Sequence, residues 1–106
     1  MASSLPANYN SKFNLLVQIT ATNGKEEELA KHLAALAKSS LDSSKEPGTL
    51  FYRMARGFGA DKNKFTIFEQ FANPKALEQH RETEVYQALH HSGTMGEVTV
   101  SFYEEI

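Results

Sequence analysis

Apolar residues along this 106-residue chain recur at two spacings, every second residue or every third to fourth. The order in which those spacings alternate restricts the fold more than any other feature. Phe13, Leu15, Val17 and Ile19 alternate with Asn14, Leu16, Gln18 and Thr20, a strand with one apolar and one mixed face, broken at Asn23-Gly24. From Lys25 to about Leu41 the spacing becomes helical: Leu29, Leu33, Leu36 and Ala37 form a stripe behind an acidic start at Glu26-Glu27-Glu28. Glu46-Pro47-Gly48 reads as the stop. Alternation returns over Thr49–Arg56, with Leu50, Tyr52, Met54 and Arg56 on one face. After the polar segment 57–63 it resumes over Lys64–Ala72, where Phe65, Ile67, Glu69 and Phe71 oppose Thr66, Phe68 and Gln70. Asn73-Pro74 signals a helix start, because Asn caps and Pro fills a first helical position whose N–H has no partner to lose. Ala76, Leu77 and His80 follow it; Thr83 caps a second segment with Val85, Tyr86, Leu89 and His90, closed by Ser92-Gly93. Over 97–104, Val98, Val100 and Phe102 alternate with Thr99, Ser101 and Tyr103 as a last strand.

The order is β-α-β-β-α-β, the split βαβ arrangement, and it predicts an α+β domain of ferredoxin-like topology with a four-stranded antiparallel sheet. Residues 12–106 form this one domain, and the polar, proline-interrupted residues 1–11 read as a flexible arm. Helices on one side of such a sheet would leave Leu16, Phe51, Phe68 and Tyr103 in water on the other. A homodimer joined sheet to sheet is therefore expected.

Composition narrows the partners. A formal net charge of −2 gives no basic footprint for nucleic acid. The absence of cysteine excludes disulfides and thiolate chemistry. No apolar run approaches the roughly 20 residues that span a bilayer. The first residues carry neither a basic leader nor an apolar segment, so a cytoplasmic, membrane-free protein is expected.

Several runs taken in order carry a resemblance. Pro47-Gly48-Thr49-Leu50-Phe51-Tyr52, then Phe65-x-Ile67-x-Glu69-x-Phe71, then Ala76-Leu77-x-x-His80, and a last strand ending Tyr103-Glu104 resemble the antibiotic biosynthesis monooxygenase family over about residues 13 to 105. The resemblance implies a dimeric α+β barrel, each subunit with a pocket between sheet and helices. It also implies one of several activities: oxidation of aromatic polyketides by molecular oxygen without metal, flavin or nicotinamide, haem binding and degradation, or isomerisation of small phosphorylated sugars. Many such relatives carry tryptophan where Phe71 stands, and this chain has none.

Within that frame His80, matching the family's recurrent histidine, is the expected base, since imidazole takes protons near neutrality. Glu69 shares strand parity with apolar residues, and a buried carboxylate needs a partner; it is expected to hydrogen-bond His80, or else to pair with Arg53 or Arg56. Tyr52, Phe71 and Tyr86 are expected pocket walls, and Arg56, at the end of the Tyr52 face, a holder for an acidic group. The bland readings are a structural histidine, a structural ion pair, core aromatics and a surface arginine. The expected reaction is a cofactor-independent monooxygenation of a small aromatic or enolisable compound, with no cofactor. The alternatives are a small-ligand-binding or stress-related barrel protein without chemistry, an isomerase using Arg53, Arg56 and Arg81 for phosphate, and a haem protein. For the last, His90, ten residues after His80, is the weaker candidate ligand. Adjacent His90 and His91 cannot share a metal from one helix face, and Gly57-x-Gly59 lacks the third glycine and following helix of a phosphate loop.

Overall fold

The alternating runs become four strands, and the computed structural model describes them together with the rest of residues 4–106. The elements are β1 (Phe13–Ala21), α1 (Glu26–Ser40), β2 (Thr49–Arg56), β3 (Lys64–Phe71), α2 (Pro74–Arg81), α3 (Glu84–His91) and β4 (Met95–Glu104). The sheet order is β2-β3-β1-β4 with every pairing antiparallel, the predicted ferredoxin-like arrangement. Its two central strands are β1 and β3, whose apolar parity sets bury Phe13, Leu15, Val17 and Ile19 against Phe65, Ile67 and Phe71. The stripe Leu29, Leu33 and Leu36 of α1 closes the core from above, with Leu77 of α2 and Leu89 of α3.

Both expected caps form. The Asn73 side chain accepts from the Ala76 N–H at 3.0 Å, and the Thr83 hydroxyl accepts from the Tyr86 N–H at 3.3 Å. The second crossover is thus two short helices with a cap each. Gly93 (φ +73°) turns the chain out of α3 in the left-handed region that glycine adopts without strain.

Leu50 departs from its expected face. The β2–β3 register shifts between Thr49 and Phe51, so Thr49 stands opposite Phe71 while Leu50 is half exposed. One inserted residue flips parity locally, as a bulge does. Arg56 and Tyr52 keep theirs.

The outer sheet face is aromatic as expected: Phe51 (48% exposed), Phe68 (50%) and Tyr103 (52%) lie open, with Leu16 between them. Leu5 and Tyr9 of the N-terminal arm pack on the core, Tyr9 edge-on to Phe13 at 6.3 Å. No helix among the described residues is long and apolar enough to cross a membrane.

Candidate functional site

Helix α3 packs chiefly on α1 and leaves the inner face of β4 half covered. The space so created is a cavity of about 90 Å³ between sheet and helices. Its walls are apolar, from Leu15, Val17, Ile19 and Ile67 of the sheet and Leu77 and Leu89 of the helices. The exposed residues Arg81, His90 and Val98 mark its mouth between α3 and β4.

The deep end is polar. His80 points inward from α2 and is 2% exposed. Its Nδ1 lies 2.8 Å from Oε1 of Glu46, a carboxylate that is itself 2% exposed, and 3.3 Å from the Ser40 hydroxyl. Thr49 donates to Glu46 Oε1 at 3.0 Å and Ser39 to Oε2 at 3.4 Å. Burial alone would raise the Glu46 carboxyl, but the hydrogen bonds from His80 and Thr49 hold it below the usual carboxylate range. On the other side of the ring, Nε2 is 3.7 Å from Oε1 of Glu69, which is 5% exposed. Burial pushes Glu69 up to about 7; His80 and Arg81 pull it down and Glu46 adds to the rise. The Tyr52 hydroxyl, also against the cavity, is buried without a hydrogen-bond partner among the described residues. Burial first, then Glu69 and Glu46, keep that phenol protonated far above its ordinary range.

The rings of Tyr52, Phe71 and Tyr86 cage the imidazole, with centroids 5.6, 5.4 and 5.3 Å away. Tyr86, whose phenol burial raises, also lines the cavity and stacks on His90 at 4.4 Å. Chemically, the arrangement has the groups that a proton transfer needs. An imidazole fixed on one nitrogen, a carboxyl that titrates near neutrality and a phenolic donor all face a small apolar space.

Several expectations need correction. The bond expected from Glu69 to His80 is absent, since 3.7 Å exceeds hydrogen-bonding distance; Glu46 makes that bond to Nδ1 instead. Neither Arg53 nor Arg56 pairs with Glu69. Arg56 stands away from the cavity, bonded to Glu27 at 2.6 Å and to the Lys62 carbonyl at 2.6 Å, its guanidinium 5.2 Å over Phe65. Arg53 faces the outer side of the sheet beside Phe51 and Phe68. With only Arg81 at the mouth, the three arginines build no phosphate site. Phe71 is fully buried and backs the His80 ring rather than lining the cavity. His90 sits at the mouth, its imidazole lowered by burial and by Arg81 and His91.

Glu46 is the residue that sequence reasoning missed. Its place in a helix-stop tripeptide masks it, and 34 residues separate it from His80. The available signal was indirect: a histidine on the apolar face of α2 with Ala76 and Leu77 requires a buried acceptor, and Ser39, Ser40 and Thr49 bracket one.

Comparison with known proteins agrees with this architecture. Protein PA3566 from Pseudomonas aeruginosa superposes with a TM-score of 0.78 at 26% identity, over 91% of this chain and 95% of that one. A Caulobacter crescentus protein provisionally named an antibiotic biosynthesis monooxygenase gives 0.77 at 21% identity, over 92% of both chains. A Nitrosomonas europaea protein named in the same provisional way gives 0.77 at 18%, again over 92% of both. The search of curated proteins finds no match. The family model for antibiotic biosynthesis monooxygenase matches residues 13–92, which carry β1 through α3 and every polar group of the deep end. The chain belongs to the antibiotic biosynthesis monooxygenase family.

Proposed function

We propose that this protein is a cofactor-independent monooxygenase for a small aromatic or enolisable compound, working as a homodimer. The observation that carries the reading is the deep end of the cavity. There His80 Nε2 and Glu69 face an apolar space without a hydrogen bond between them, beside an unpartnered Tyr52 hydroxyl. Buried polar groups left unmatched are costly in a mere scaffold and are expected where a ligand completes them. The substrate oxygen accepts from Tyr52, and its acidic O–H or C–H faces Nε2. Transfer of that proton to His80 leaves an electron-rich phenolate or carbanion, and a nearby Glu69 carboxylate stabilises the imidazolium formed. The deprotonated substrate is itself the reductant of oxygen. For a methylene, one oxygen atom becomes the new carbonyl and the other leaves as water with the two hydrogens, so atoms and electrons balance. A cavity of about 90 Å³ takes in the reacting O–H or C–H end of the substrate, with the rest of the molecule extending through the mouth.

The homodimer rests on the outer face, where Phe51, Phe68 and Tyr103 are each about half exposed. The test of the chemistry is oxygen uptake with a panel of phenols, anthrones and cyclic diketones. One class should support turnover, and His80→Ala should reduce it roughly a hundredfold or more without loss of helical signal. Undiminished turnover in that variant rejects His80 as the base. Saturable binding by the panel without any oxygen uptake favours a ligand-binding role.

A further inference from the structure

Glu46 belongs to no part of the chemistry above, yet it is among the most deeply buried charged groups of the chain. We propose that Glu46 is the positioning residue of this site, holding the Nδ1–H of His80 so that the imidazole offers the lone pair of Nε2 to the cavity. The inference rests on reading His80 as the group that takes the substrate's proton.

The hydrogen-bond directions carry the argument. Thr49 and Ser39 hydroxyls reach the two carboxylate oxygens of Glu46, and His80 Nδ1 reaches Oε1 at 2.8 Å. An ionised carboxylate only accepts, so Nδ1 must carry the hydrogen of that short contact. The neutral ring is then bare at Nε2. Free histidine favours the opposite tautomer, so the environment has to impose this one. The groups facing the ring from other elements do not compete for Nδ1. Tyr52 and Tyr86 approach as rings, Glu69 stands 3.7 Å from Nε2, and Ser40, at 3.3 Å, is the other polar contact of Nδ1 among the described residues. The backbone keeps the pair together. Thr49 N–H bonds the Glu46 carbonyl and Ala72 N–H bonds the Gly48 carbonyl, which ties the Glu46 loop to the strand end from which α2 departs.

Proton–nitrogen correlation spectra of the full chain, labelled with ¹⁵N at histidine, read the tautomer without substrate. Neutral His80 is expected to be protonated at Nδ1 in the wild type, and to lose that preference for Nε2–H in Glu46→Leu, which cannot accept. Protonation at Nε2 in the wild type overturns the proposal, as does an unchanged Nδ1–H tautomer in a folded Glu46→Leu chain. Where the leucine variant does not fold, the wild-type spectrum alone decides. On a substrate that is turned over, Glu46→Leu should lower kcat roughly a hundredfold while KM stays within about twofold, the pattern of lost alignment rather than lost binding. A change confined to KM counts against it. Because the tautomer is measured without turnover, failure of the oxygenase reading and failure of this one give different results.

Discussion

Two carboxyl groups flank the His80 ring, and their surroundings push them in opposite directions. Glu46 accepts from His80, Thr49 and Ser39 and is held in its ionised form, whereas Glu69 has burial against it and no donor within bonding distance among the described residues. Each has a signed consequence for stability. Glu69 has a folded value near 7, above its ordinary 4.5, so the folded chain binds more protons between those values. Its contribution is full below about pH 4.5 and is lost as pH rises through 7. Glu46 is shifted the other way; its contribution is present above about 4.5 and is lost as acid protonates the folded carboxylate. Urea unfolding at pH 5, 6, 7 and 8 should therefore show Glu69→Gln gaining on the wild type as pH rises, by a few kcal/mol at most. Parallel pH dependences in the two proteins would show that Glu69 ionises normally. Glu69 was legible in the sequence because strand parity placed it among Phe65, Ile67 and Phe71. Its missing bond was not, because parity fixes a face and leaves the distance to another element open.

At the scale of elements, the two capping residues and the period changes set α2, α3 and all four strands nearly to the residue. The bulge at Leu50 was illegible: an alternating run looks the same with or without one inserted residue when both neighbours are apolar. The approach of the Glu46 loop to α2 was hidden for a related reason. Gly48 reads as helix punctuation, yet a Cβ there would lie 2.5 Å from the Ala76 Cβ, with no flexible side chain to yield. Gly48→Ala should cost about 1–3 kcal/mol by overpacking. It should also disturb the Glu46–His80 bond through the shifted helix, visible as a change in the His80 ring resonances. Loss of the Asn73 cap is a milder perturbation of the same helix: Asn73→Ala is expected to cost about 1 kcal/mol and leave that bond in place. Thermal unfolding of the two variants compares them directly.

For the whole molecule, the sheet's outer face carries the proposed assembly. Its polar patch is self-satisfied, with Gln70 donating to Asn14 at 3.0 Å and to Glu105 at 2.6 Å, so the aromatic residues are what remains to be covered. Sedimentation of the wild type should give twice the 11.8 kDa of one chain, and Phe68→Arg should return it to one. A wild type that sediments as a single chain at micromolar concentration removes the dimer. The apolar content of both strand faces made this surface legible; the location of the cavity mouth was not, because it depends on how far α3 leans toward α1. The chamber runs from the buried His80, Glu69 and Tyr52 to a rim at Arg81, His90 and Val98 beside the edge strand β4. Under the proposed chemistry, a substrate reaches those groups with its reacting oxygen leading. Congeners lengthened at the trailing end should keep their turnover, whereas one methyl group added next to the reacting oxygen should abolish it.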